Sequence, residues 1–406
     1  MSDQKLCNET SLDQAPLNQA PLNETRIPAS SVQPTDGKPP IKGDTAGAHS
    51  LAEILSQPQC WSDCLAAVRE QGTLSAIHRQ LANAKGWLFI GCGSSYYVAL
   101  SAAATMASLT GCRSHAIPAS ELFLYPGPIL AATGDSVPIL ISRSGRTSEV
   151  LKASELLKSR NIPAIAITCA PGQPLEKQAA AAIVLPHADE QSTVMTRSFS
   201  SMLLILQELA GTIAGNSAFC RSLEEMPPAA APVLQSLPAK ISRFVADRQF
   251  SDYVCLGQGP FYGLACEYAL KVTEMSVSNA QSFHTLEFRH GPKSIVSPET
   301  LLIFLLSDTG YQAERDALEE MKSLGGTTLV IANKADARVR AASDLLVELS
   351  LDVPELARLV PTLFAGQLLG LFTGLHKGLD PDTPRNLSRV VTLDEPPSPQ
   401  HPQKTS

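Results

Sequence analysis

Two stretches decide the fold: Trp87-Leu88-Phe89-Ile90-Gly91-Cys92-Gly93-Ser94-Ser95 and, later, Tyr253-Val254-Cys255-Leu256-Gly257-Gln258-Gly259. Each is a short apolar run, a glycine-bearing turn and then helical spacing, which predicts a strand feeding a helix. In the first, Trp87 to Ile90 reads as the strand and Ala99 to Ser108 lies in the helix. Further strands are expected at Val137 to Ile141, Ala164 to Thr168 and Ala182 to Leu185, with a helix from the turn at Ser142 to about Lys158. The order returns at Leu301 to Leu306, Thr328 to Ala332 and Leu345 to Leu349. Gly91 falls on Gly257, Ser142 on Ser307 and Ile165 on Leu329 at nearly constant separation, so the chain reads as a duplication. The fold class is α/β: two tandem copies, each a parallel sheet sandwiched between helices in a doubly wound, flavodoxin-like order.

Composition agrees. Of 406 residues, 44% are hydrophobic and 17% charged, against roughly 25% charged in average soluble domains. Sheets covered by helices on both faces account for the low charge. A net charge of −7 with no basic run excludes nucleic acid as the main partner. Residues 1–50 carry six prolines and no aromatic residue and repeat Gln-Ala-Pro-Leu-Asn back to back from Gln14. They are expected to form a disordered tail, as is the proline-rich stretch 396–406. The copies are placed at 51–230 and 240–395, with their boundary in the proline-bearing stretch Pro227-Pro228 to Pro238. No apolar core marks the first thirty residues as a signal and no run approaches eighteen apolar residues, so a cytoplasmic protein without membrane contact is expected. Nine scattered cysteines without a Cys-x-x-Cys suggest reduced thiols and no zinc site.

The first copy places Gly93, Ser94 and Ser95 on one strand-to-helix turn and Ser142, Arg143, Ser144 and Thr147 on the next. Ligands bind open parallel sheets at this edge, where helix N-termini offer unpaired N–H groups and small hydroxyls admit an anion. A phosphate monoester suits such turns. A dinucleotide does not, because Tyr96 stands where its fingerprint needs a third glycine. The second copy lacks these hydroxyls but carries Glu267, Lys271 and Glu274 on one helical face among apolar neighbours. Spacing alone favours a solvated salt-bridged stripe, and the apolar neighbours Tyr268, Ala269, Leu270, Val272 and Met275 argue against it. A loop with His284 and His290 follows. Neither histidine has a second ligand at metal spacing, and general acid–base work needs only one.

The two copies, Ser142-Arg143-Ser144-Gly145-Arg146-Thr147, Glu274-Met275-Ser276, Arg289-His290-Gly291-Pro292 and Pro384-Arg385-Asn386-Leu387 together resemble the sugar isomerase (SIS) family. The likeness is to the isomerase half of glucosamine-6-phosphate synthase and, more, to the galactosamine-6-phosphate deaminase/isomerase branch, over about residues 50–395. The resemblance implies tandem SIS domains and a sugar phosphate held by Ser95, Ser142, Arg143, Ser144 and Thr147, with Gly93 and Ser94 beside it and Thr196 in a sugar-contacting loop. It implies that Glu274 moves a proton between C1 and C2, with Lys271 and Glu267 as polar neighbours. His290 would open the ring in the neighbouring subunit's site, making a homodimer with shared sites. No cofactor and no metal are implied. Burial is expected to raise the Glu274 carboxyl against the pull of Lys271. Arg389 stands where the synthase carries lysine, and arginine forms no Schiff base, leaving it to stabilise an oxyanion or close the site. The implied reaction is deamination and isomerisation of galactosamine- or glucosamine-6-phosphate to a ketohexose 6-phosphate. The alternatives are amination of fructose-6-phosphate without a glutaminase, and a sugar-phosphate sensor without turnover.

Overall fold

A computed structural model describes residues 45–81 and 84–393. The tail expected over residues 1–50 therefore lies almost wholly outside the described residues, as does 396–406. Its last residues do not continue it, because a helix already begins at Ala48 (Ala48–Leu55).

The first sheet comprises β1 Gly86–Gly91, β2 Arg113–Pro118, β3 Val137–Ile141, β4 Ile165–Thr168 and β5 Ala181–Val184, in the order β2-β1-β3-β4-β5. The second comprises β6 Asp252–Gly257, β7 Asn279–His284, β8 Thr300–Leu305, β9 Thr327–Ala332 and β10 Leu345–Glu348, in the order β7-β6-β8-β9-β10. All pairings are parallel. The two orders are identical once the second set is renumbered, which establishes the duplication. Gly93 and Gly259 share a left-handed backbone, φ 53° and 54°, at matching turns, a conformation glycine takes without strain.

The register corrects one correspondence. Ser142 donates its N–H to Ile167 O at 3.1 Å, and the residue making the same bond in the second copy is Leu306, to Ile331 O at 2.9 Å. Ser142 thus matches Leu306, and Ser307 matches Arg143. Alternation of apolar residues cannot detect a one-residue slip where both strands are buried throughout. β2 and β7, absent from the sequence reading, are the half-exposed edge strands of the two sheets, Arg-Ser-His-Ala-Ile-Pro and Asn-Ala-Gln-Ser-Phe-His.

The stretch expected to separate the copies is the helix Ser217–Ala246, with Pro227, Pro228, Pro232 and Pro238 inside it. An interior proline costs a helix about 3 kcal/mol. The helix buries Phe219, Leu223, Met226, Leu234, Leu237, Ile241, Phe244 and Val245, worth about 1.5–3 kcal/mol each, which offsets four prolines. One continuous core runs between the inner faces of both sheets, joining Trp87, Phe89 and Ile141 to Tyr253, Cys255 and Ile303. Separate smaller cores cover the outer faces.

The stretch Glu355–His376 has a mean hydropathy of 1.4 and is long and apolar enough to cross a bilayer, yet 89% of it is buried inside the fold. Its last helix, Phe364–His376, lies flat on the helix Phe261–Ser276. A Cβ at Gly366 would meet the Tyr268 ring at 2.4 Å, at Gly370 the Lys271 carbonyl oxygen at 2.7 Å, and at Gly374 the Met275 carbonyl oxygen at 2.2 Å. This contact fixes the helix that carries Lys271.

Candidate active site

The helix Ser94–Thr110 of the first copy packs directly against Phe261–Ser276 of the second. Ser94 Oγ donates to Glu267 Oε1 at 3.1 Å and accepts from Lys271 Nζ at 3.4 Å. Lys271 Nζ lies 3.3 Å from Glu267 Oε1 and 2.5 Å from Glu274 Oε2. Glu267 and Lys271 are 0% and 1% exposed, so the solvated stripe is excluded. The two copies contribute to one cluster, and the carboxyl of Glu274, 18% exposed, is its open end.

Burial pushes the Glu267 carboxyl up to about 8, helped by the Glu274 charge and opposed by Lys271 and the Ser94 hydroxyl. Its Oε2 has no hydrogen-bond partner. Burial alone would lower Lys271, but the two carboxylates outweigh it and hold the ammonium above its usual range. Desolvation thus raises the fully buried Glu267, which lies about two helical turns from Glu274 on the same helix.

At the neighbouring turn, Ser142 Oγ and Thr147 Oγ1 are 3.0 Å apart, and Ser144 Oγ accepts from the Arg146 N–H at 3.2 Å. Ser95 is buried beside Ser94. Since β1 and β3 are hydrogen-bonded neighbours, the two turns lie side by side at the carboxyl end of the first sheet.

Arg143 departs from its expected place at the phosphate. Its guanidinium is buried and donates to Glu190 Oε2 and the Val194 carbonyl at 3.2 Å each, to the Thr193 carbonyl at 2.9 Å and to the Arg389 carbonyl at 3.1 Å. Thr196 is also fully buried, donating its hydroxyl to Glu190 Oε1 at 2.9 Å and its N–H at 2.6 Å. Arg389 forms an exposed ion pair with Asp189 at 2.5 Å, whereas among the described residues Glu274 is ion-paired with Lys271. His290 is exposed and its imidazole makes no hydrogen bond among the described residues. His284 stacks on Tyr262 at 3.8 Å.

Residue-by-residue reading missed the acids that shape the loop 189–198. Glu190 binds Thr196, both groups of Ser198, and Arg143. Glu53 receives Gln191 N at 2.5 Å and Ser192 N at 3.2 Å. A glutamate set in a run of Ser and Thr was the available signal. Asp382 accepts from Ser50 N at 2.7 Å and Ser50 Oγ at 2.6 Å, tying the C-terminal segment to the first helix. That segment continues across the first copy, where Val391 O accepts the Ser148 N–H at 3.2 Å.

In the second copy the equivalent turn is occupied from within. Glu314 accepts from Ser307 N at 2.7 Å and Ser307 Oγ at 2.9 Å, and Glu355 from Thr309 N at 3.2 Å and Thr309 Oγ1 at 2.7 Å. Among the described residues no three His, Cys, Asp or Glu side chains are placed to hold a metal ion.

This is a duplicated, doubly wound α/β protein whose candidate site draws on both copies, hydroxyl-lined turns from one and a buried Glu-Lys-Glu stripe from the other. The chain belongs to the SIS domain family, matched over residues 80–210 and 252–370. It is 28% identical over 362 residues to the glutamine–fructose-6-phosphate aminotransferase (isomerizing) of Bacteroides thetaiotaomicron, covering 85% of this chain and 58% of that protein. The chain therefore spans little more than half the length of that relative. Among solved structures it resembles glucosamine-6-phosphate deaminase from Thermotoga maritima (29% identity, TM-score 0.67, 84% of this chain and 99% of that one). It also resembles tagatose-6-phosphate ketose/aldose isomerase from Escherichia coli (25% identity, TM-score 0.74, 83% and 95%).

Proposed function

We propose that the chain is a sugar-phosphate aldose/ketose isomerase that deaminates an amino-sugar 6-phosphate, galactosamine- or glucosamine-6-phosphate, to a ketohexose 6-phosphate and ammonia. The observation that carries this reading is the buried Glu267–Lys271–Glu274 stripe joined through Ser94 to the hydroxyl-lined turns. The sugar phosphate would sit against Ser95, Ser142, Ser144 and Thr147 at the helix N-termini. His290, exposed in this chain, would reach the site of a second copy and open the ring, an imidazole being able to give and take a proton near neutrality. Glu274 then removes the proton from C2 and returns it to C1, converting the C1 aldehyde and C2 amine to a C1 alcohol and C2 imine. Water adds to the imine, the C2–N bond breaks and ammonia leaves. Lys271, 2.5 Å from Glu274, holds that carboxylate in place for proton removal. Arg389 has no covalent part in this scheme.

The likeness to the aminotransferases supports a second reading, the same chemistry run towards amination of fructose-6-phosphate. Purified protein given galactosamine-6-phosphate or glucosamine-6-phosphate is expected to release ammonia, and Glu274→Gln to lower the rate at least a hundredfold. Absence of ammonia from both sugars, with the variant indistinguishable from wild type, refutes the deaminase reading. Binding of sugar phosphates without turnover in either direction would make the chain a sensor.

A further inference from the structure

We infer that Arg143 is a positioning residue: with Glu190 it clasps the phosphate turn, the loop 189–198 and the C-terminal segment into one unit. The inference deepens the proposed function, since it assigns a role within that same site.

Arg143 sits between Ser142 and Ser144, the hydroxyls expected to receive phosphate, yet its guanidinium points the other way. Its bonds reach two other pieces of chain: Glu190, Thr193 and Val194 in the loop, and Arg389 in the C-terminal segment. The planar fork of arginine presents five donors in fixed directions, so it can serve several acceptors at once where a lysine ammonium would lose some. Glu190, also buried, spends its remaining lone pairs on Thr196 and Ser198, so the pair leaves no uncompensated charge. A guanidinium so engaged is not free to meet a ligand.

The C-terminal segment has two further ties to the same place. Arg389 pairs with Asp189, one residue from Glu190, and Thr193 N donates to Asp382 O at 3.0 Å. The segment then crosses the start of the helix Ser148–Ser159, where Leu393 N donates to Ser148 Oγ at 3.1 Å. Among the described residues, Arg143 is the one side chain of the turn bonded to both the loop and the segment.

Two measurements that need no turnover decide the matter. Trypsin cleavage after Arg385 reports how firmly the segment is held, and calorimetry with inorganic phosphate and with glucosamine-6-phosphate reports the anion site. Arg143→Lys and Arg143→Gln are expected to speed cleavage at least fivefold while phosphate affinity changes by less than twofold. Turnover, where present, should fall through kcat with KM little changed. Because a broken buried pair can prevent folding, Asp189→Asn, which removes only the exposed tie, is the second variant and should speed cleavage about twofold or more. A tenfold loss of phosphate affinity with cleavage unchanged would make Arg143 a phosphate ligand and overturn the inference. Unchanged cleavage in all three variants would overturn it as well. A chain that releases no ammonia but loosens its segment on Arg143→Lys refutes the proposed reaction and leaves the clasp standing.

Discussion

Replacing Glu267 by Gln probes the deepest charge in the site and has a signature that a merely structural change lacks. In the fold burial raises this carboxyl from the ordinary 4.5 to about 8. Between those values the folded protein keeps a proton that the unfolded chain has released, so stability falls as pH rises. From pH 5.5 to 7.5 that single group removes about 2–3 kcal/mol of stability from wild type. Glu267→Gln retains the shape and the oxygen that accepts from Ser94 and Lys271, but cannot titrate. Its amide nitrogen, placed where Oε2 has no partner, costs about 1–3 kcal/mol at every pH. That cost cancels when the difference between the two proteins is compared at two pH values. Urea unfolding of both at pH 5.5 and 7.5 should therefore show the variant gaining about 2–3 kcal/mol on wild type, and parallel behaviour, with the gap constant within about 0.5 kcal/mol, would refute the assignment of a raised carboxyl. Below pH 4.5 the group is protonated in both states and the pH-dependent difference vanishes.

Gly263 lies where the helices of the two copies cross, and a Cβ there would meet Ser101 Oγ at 2.4 Å and Tyr97 O at 2.6 Å. Gly263→Val is expected to cost about 3 kcal/mol or more and to abolish turnover by pulling Ser94 from Glu267, read by thermal melting and the ammonia assay. Deleting residues 1–45 should leave activity intact, whereas deleting 1–50 removes the Gly47, His49 and Ser50 contacts with Asp380 and Asp382. The longer deletion is expected to destabilise by about 2–3 kcal/mol in chemical denaturation. Ser142→Ala combined with Thr147→Val should weaken glucosamine-6-phosphate binding at least tenfold in calorimetry and leave the melting temperature within about 3 °C, since their mutual hydroxyl contact is worth about 1 kcal/mol.

The parallel sheets were legible because their central strands are nearly continuous apolar runs, and two of them, β1 and β6, end in glycine. β2 and β7 were not, because an edge strand alternates with solvent and its residues, such as Arg113, Ser114, Asn279 and Gln281, match loop composition. That the stretch between the copies is a helix was not legible for a related reason: proline marks a local break, while the burial that overrides it comes from side chains distant in sequence. In the site, Glu267, Lys271 and Glu274 could be read from helical spacing, since all three lie on one element. The partners of Arg143 could not, because Glu190 and Arg389 are 47 and 246 residues away along the chain and neither periodicity nor local motif links them.

Glu314 and Glu355 carry a numerical consequence. By filling the second copy's turn with carboxyls of its own, the chain supplies a built-in occupant at the place where its twin would take a phosphate. Duplication has doubled the scaffold without doubling the vacancies, and a titration with sugar phosphate should reach its end point at one equivalent per chain rather than two.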